Sequence, residues 1–188
     1  MEPLVYLVEI KDNIDENIFK FLLAYVEPYK RKIIEAHPKK EEAERMLVGD
    51  ILVKYVLKTK FSISMSNLNI QQGEFGKPYL PEFSDIHFNI SHSGDYVVCA
   101  FFDSPIGVDI QTILTYSEKI AKRVLSCEKI KKIEESQNPD LAFTTCWAEK
   151  EALLKMVGCG FSGEVNEAEL DIRRKTITTD KFVLSLAY

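Results

Sequence analysis

The chain has 188 residues, with 24 Lys and Arg against 29 Asp and Glu and a formal net charge of −5; at ~150 residues per domain it makes one domain, or two half-sized lobes sharing a core. Its 46% apolar and 28% charged residues exclude a disordered chain, and its acidic balance argues against a general nucleic-acid binder. No apolar run approaches the ~20 residues of a membrane span, and Met1-Glu2-Pro3-Leu4 shows no basic or long apolar leader, so a cytoplasmic protein without membrane attachment is expected.

Residues 4–10 form a short apolar run that suits a strand. Ile14, Ile18, Phe21, Leu22, Tyr25 and Val26 then recur at helical spacing and stop before Pro28. Further helices are predicted over 30–36 and 40–58. The second places Ala43, Met46, Leu47, Asp50, Ile51, Lys54 and Leu57 on one stripe, with Arg45 beside it. Residues 73–81 have turn chemistry and read as an ordered loop. Strands follow at 86–90, 96–102 and 106–110, turned at 93–95 and 103–105. Helices are expected at 117–125 and 127–136, with Ser117 and Ser126 as N-caps. Asn138-Pro139-Asp140 breaks the chain before a helix from 141 to 157, and strand character returns at 168–173 and 181–188. Residues 95–100 weakly echo residues 180–187, which hints at duplication.

Residues 28–60 hold nine bases and five acids, a local +4 in a chain whose remainder is −9. Such a segment is either a solvated helix face or an anion site. The four cysteines (Cys99, Cys127, Cys146 and Cys159), spaced 28, 19 and 13 apart, match neither a zinc cage nor a disulfide framework.

Several residues are candidates for chemistry. Along residues 107–111, Val108 and Ile110 point one way, Asp109 and Gln111 the other: a solvent-facing strand edge, or a carboxylate and an amide oxygen facing a ligand. In the last long helix, Lys150 falls in the apolar stripe and must snorkel or meet an anion. Glu151 and Lys155, four apart, read either as a surface pair worth ~0.3–0.5 kcal/mol or as a metal-binding carboxylate beside a phosphate-binding ammonium. Ser91, His92 and Asp95 are too close in sequence to converge as a catalytic triad. An anion pocket using Ser91 and His92, joined by Lys77 and Arg45, is the alternative. Residues 158–163 fit G-x-G-x-x-G by letter, but a helix precedes them, so they read as a helix end and loop.

Taken in order, Pro28-Tyr29-Lys30-Arg31-Lys32, Glu44-Arg45-Met46-Leu47, Gly76-Lys77-Pro78, Phe88-Asn89-Ile90-Ser91-His92-Ser93-Gly94, Ile106-Gly107-Val108-Asp109 and the run from Trp147 to Lys155 resemble the 4′-phosphopantetheinyl transferases of the Sfp type. The resemblance implies an α+β fold, a pseudo-dimer of two similar lobes (1–105 and 106–188), each a small antiparallel sheet packed with helices. It implies Mg²⁺-dependent transfer of phosphopantetheine from coenzyme A to a serine of an apo acyl or peptidyl carrier protein by a monomer. Asp109, Glu151 and Lys155 would be catalytic, and Asp109, Glu151 and Gln111 would hold the metal. Lys30, Arg45, Lys77, Ser91, His92 and Lys155 would contact coenzyme A. Gln111 stands where many relatives carry Glu, Ile33 stands where a second lysine is expected, and the C-terminal connection is short. A non-catalytic coenzyme A or carrier-protein binding module is the rival from another class. A two-metal phosphohydrolase fits less well, since further carboxylates or histidines are lacking.

Overall fold

The computed structural model describes residues 2–64, 68–159 and 171–188. Strand β1 (Leu4–Glu9) is followed by helices α1 (Glu16–Leu23), α2 (Pro28–Glu35) and α3 (Lys40–Lys60). A short ribbon of β2 (Gln71–Gln72) and β3 (Pro78–Tyr79) leads into β4 (His87–Ser93) and β5 (Tyr96–Phe102). Then come β6 (Gly107–Thr112), α4 (Glu118–Val124), α5 (Cys127–Glu134), α6 (Pro139–Val157), β7 (Arg174–Thr178) and β8 (Phe182–Ala187).

Two three-stranded antiparallel sheets organise these elements, in the orders β1-β5-β4 and β6-β8-β7. In each, the last strand of the set to leave the chain takes the middle place. The echo between residues 95–100 and 180–187 therefore falls on the two central strands. The fold is α+β, two like units of strand, helices and hairpin.

Side-chain alternation stacks the units. On β5, Tyr96, Val98, Ala100 and Phe102 pack against Val108, Ile110, Leu184 and Leu186 of the second sheet. From the opposite face of β5, Cys99 and Phe101 meet Val53, Val56 and Leu57 of α3. Ala152 and Leu153 of α6 pack on Ala187 of β8. The layers thus run α3, sheet, sheet, α6. With both faces covered, β5 is buried along its whole length and reads as a continuous apolar strand. Burial of Phe88 and Phe101, whose rings stack at 5.6 Å, contributes ~2–3 kcal/mol each.

Several element boundaries differ from those the sequence predicts. Helix α6 starts two residues earlier than 141: Asn138 caps it by accepting from the Leu141 amide, and Pro139 takes the first turn, where a missing N–H costs nothing. Helix α1 is shorter than its apolar spacing, beginning after the Asp15 cap and dissolving into turns from residue 24. The loop at 73–81 contains half of the β2–β3 ribbon. Ser126 caps α5 through the Lys129 amide, whereas the Ser117 side chain makes no such bond to α4. Residues 168–170, with most of the G-x-G-x-x-G match, lie outside the described residues; 171–173 are irregular and β7 begins at Arg174. Gly158, the first of that match, closes α6 in a left-handed conformation at φ +77. Among the described residues no helix is long and apolar enough to cross a membrane.

Candidate active site at the seam between the sheets

Strand β4 runs beside β6, and its alternate side chains meet alternate β6 amides. The Val108 amide donates to Asn89 Oδ1 at 3.0 Å, the Ile110 amide to Ser91 Oγ at 3.2 Å, and the Thr112 amide to Ser93 Oγ at 3.1 Å. The period of two that puts residues 89, 91 and 93 on one face also turns Phe88 and Ile90 toward the α3 core. The seam therefore satisfies a sheet edge that would otherwise be left with buried, unpaired donors.

Ser91 is fully used here. Its hydroxyl donates to Asp109 Oδ1 at 2.8 Å, while its oxygen accepts from the Ile110 amide and from Lys155 Nζ at 2.9 Å. Lys155 Nζ also lies 2.6 Å from Asp109 Oδ1. Lys155 reaches the strand because α6 lies almost directly on β6 at Gly107. A Cβ built there would come within 1.9 Å of Ala152 O and 2.4 Å of Met156 N. Glycine is the one residue that admits this approach.

The solvent-facing edge considered for residues 107–111 is corrected by this packing: Asp109 is only 4% exposed, beneath α6. Two carboxylate oxygens are buried here without a hydrogen-bond partner, Asp109 Oδ2 and Glu151 Oε1. Burial pushes the Glu151 carboxyl above the usual carboxylate range, the Lys155 ammonium opposes this, and the Asp109 charge adds to it. Glu151 and Lys155 thus do not behave as an isolated surface pair, since Lys155 turns to Asp109. On the same strand, Gln111 donates its amide nitrogen to Ser93 Oγ at 3.0 Å and to Thr112 O at 3.4 Å. Among the described residues no three His, Cys, Asp or Glu side chains converge, so the hard donors are two carboxylates and one amide oxygen.

These donors suit a hard divalent cation. Mg²⁺ characteristically uses one or two carboxylates and fills its remaining positions with water and phosphate oxygens. Two buried anionic oxygens with no proton donor are what such an ion neutralises.

A second polar cluster joins α3 to the end of β4. Arg45 Nη2 lies 2.8 Å from Glu42 Oε1, and Nη1 donates to Gly94 O at 2.7 Å. His92 Nδ1 sits 3.9 Å from Glu42 Oε2. Burial pulls the His92 pKa down, Glu42 opposes it, and the charges of Arg45 and Lys155 lower it further. Glu42 is held below the usual carboxylate range chiefly by its bond with Arg45.

Two of the predicted coenzyme A contacts, Lys30 and Lys77, have their ammonium groups taken up by protein partners. Lys30 Nζ lies 2.7 Å from Asp50 Oδ1, and Asp50 also binds Lys54, which reaches Glu27. This network explains the polar residues on the α3 stripe, and it absorbs part of the local positive charge. Lys77 Nζ donates to Ile106 O at 3.0 Å and Met156 O at 2.7 Å. Lys150, expected to snorkel or meet an anion, instead donates to the Val124 carbonyl at the end of α4. Asn89, Ser93, Gly107 and Glu42 carry parts of the site that single-residue reading passes over. The signals were alternation for the first two and the i, i+3 spacing of Glu42 to Arg45.

The cleft beside this seam, about 230 Å³, is lined by Gly76, Lys77, Pro78, Asn89, Glu151 and Lys155 among others. The fold and site are thus two like antiparallel units with two carboxylates and a lysine at the seam between them. The sequence on either side of the seam matches known family models. Residues 13–102 match the family described as "4′-phosphopantetheinyl transferase, N-terminal", and residues 105–184 the "4′-phosphopantetheinyl transferase superfamily". The chain is 36% identical over 143 residues to 4′-phosphopantetheinyl transferase Sfp of Bacillus subtilis, covering 74% of this chain and 63% of that protein. It is 33% identical over 166 residues to 4′-phosphopantetheinyl transferase gsp of Aneurinibacillus migulanus, covering 87% and 69%. A more distant match is L-aminoadipate-semialdehyde dehydrogenase-phosphopantetheinyl transferase of Xenopus laevis, at 29% over 172 residues, covering 83% and 57%. The chain belongs to the 4′-phosphopantetheinyl transferase family, in its Sfp type. It spans slightly under two thirds of the length of the Bacillus subtilis relatives.

Proposed function

We propose that this chain transfers the 4′-phosphopantetheine arm of coenzyme A to a serine of an apo acyl or peptidyl carrier protein with Mg²⁺, releasing adenosine 3′,5′-bisphosphate. One observation carries the reading: Asp109 and Glu151 each keep a buried carboxylate oxygen unpartnered on the two elements that Lys155 joins. Asp109 and Glu151 would hold the metal, with the Gln111 amide oxygen beside them, since the Gln111 nitrogen is tied to Ser93. Bound there, the ion supplies charge neutralisation at the pyrophosphate of the donor.

The protein's own groups do the rest. Lys155, fixed against Asp109 and Ser91, places its ammonium where charge builds on the leaving phosphate. Glu151 would accept the proton of the carrier serine, directly or through a water. Arg45 and His92 would bind the 3′-phosphate, sharing Glu42 between them until the anion arrives. Ser91 serves by orienting Asp109 and Lys155, and Lys30 joins only by releasing Asp50. Both carboxylates and the phosphate contacts lie in one chain, divided into lobes at 1–105 and 106–188, so a monomer suffices.

Incubation with coenzyme A, Mg²⁺ and apo fatty-acid and peptidyl carriers tests the reading by mass. One added phosphopantetheine supports it. No gain on any carrier, with coenzyme A still bound, would leave a binding module instead; phosphate release without an acceptor would indicate a phosphohydrolase.

A further inference from the structure

Lys77 sits in the turn before β3, where the Gly73 amide donates to the Lys77 carbonyl at 2.9 Å and Gly76 takes a left-handed φ of +78. Its stem crosses the end of α6, with Cδ 3.4 Å from where a Cβ on Gly158 would lie. The ammonium then reaches two carbonyls from different elements: Met156 O in the last turn of α6, and Ile106 O immediately before β6. Met156 follows Lys155 directly. Its carbonyl is among the last four of the helix, which have no intrahelical partner. Ile106 precedes Gly107, where strand and helix backbones nearly touch.

We propose that Lys77 is a positioning residue, pinning the end of α6 to the start of β6 and so holding Glu151 and Lys155 against Asp109. This rests on the transfer reading above and departs from the expectation that Lys77 binds a coenzyme A phosphate. A cation at the negative end of the helix dipole is favourably placed, and it replaces two solvent bonds that the packed junction excludes. Burial holds its pKa at about 8, in keeping with an ammonium enclosed between protein segments. His87 is a titratable neighbour, its own proton disfavoured by burial and by the Lys77 charge, and Glu151 and Lys155 line the same cleft as Lys77. Glu74, Asp171 and Arg173 line the adjoining cleft.

Wild type, Lys77→Met and Lys77→Arg are compared in carrier-protein transfer, with coenzyme A and with its analogue lacking the 3′-phosphate. Lys77→Met is expected to lower kcat by about 10- to 100-fold, since small misplacement of reacting groups costs that much. KM for coenzyme A should stay within about threefold, and the preference for the 3′-phosphate should be unchanged. Lys77→Arg, which keeps donors for both carbonyls, should restore most of kcat. Amide hydrogen exchange, which needs no turnover, should quicken over residues 153–158 in Lys77→Met and stay unchanged over 53–57 of α3. Absence of transfer by the wild type defeats the functional reading and leaves the exchange result to judge the clamp. A raised KM with kcat intact, a lost 3′-phosphate preference, unchanged exchange, or an Lys77→Arg protein as slow as Lys77→Met would each overturn the proposal.

Discussion

Lys155 and Asp109, 46 residues apart, meet at 2.6 Å, while Glu151, one helical turn from Lys155, keeps Oε1 buried and unbonded. The lysine therefore belongs to the strand rather than to its own helix. Lys155→Met should leave Asp109 buried without its cation and cost up to about 3 kcal/mol, the lower range for broken buried pairs because Lys155 is partly exposed. In urea unfolding, the double variant with Asp109→Asn should lose less than the sum of the single variants. Strict additivity would show that the two do not interact.

Glu151 bears a carboxylate whose charged form burial disfavours. Its raised folded pKa means the native chain keeps a proton that the unfolded chain has already released. Its contribution therefore turns unfavourable as pH climbs from the ordinary carboxylate value through the raised one. Glu151→Gln should accordingly melt higher than wild type at pH 7 without Mg²⁺, with the gap closing at pH 4. Adding Mg²⁺ should raise the wild-type melting temperature and not that of the variant. Thermal shifts at both pH values, with and without the ion, check this.

Gly107→Ala addresses the helix–strand approach. Its Cβ would face backbone atoms at 1.9 and 2.4 Å, which no side-chain rotation relieves. A loss at or above the upper end of ~1–3 kcal/mol is expected, together with loss of transfer. Chemical denaturation measures the first, and normal stability in the variant would contradict the packing described.

His92 should make coenzyme A binding depend on pH. Its depressed pKa leaves it neutral near pH 7, and a bound phosphate would favour the charged ring. Affinity should rise between pH 7.5 and 6 with proton uptake on binding, seen by calorimetry in buffers of different ionisation heat. His92→Gln should flatten the trend. For the protein alone the sign is opposite: the unfolded chain takes the proton more readily, so stability falls as pH drops below about 6.5. Glu42→Gln, which frees Arg45 and His92 from a competing carboxylate, should lower KM for coenzyme A by about two- to fivefold. An unchanged or higher KM would show that Glu42 does not occupy the anion pocket.

Much of this was legible in the sequence because it depends on local periodicity. Alternation at 107–111 put Asp109 and Gln111 on one face, helical spacing put Glu151 and Lys155 one turn apart, and the run of motifs pointed to the family. Even the weak echo between 95–100 and 180–187 now falls on β5 and β8, the central strands of the two sheets.

What local pattern does not encode is the partner of a polar group, because partners are chosen by packing between elements distant in sequence. Lys30, Lys77, Lys150 and Lys155 are equivalent cations by composition, yet they end respectively on Asp50, two carbonyls, one carbonyl and Asp109. The sequence by itself determined which residues carry charge and which face of an element they leave from. Only the tertiary structure decided which of those charges face one another and which are left unpaired. Burial makes that decision consequential, because it removes the water that would otherwise satisfy any of them.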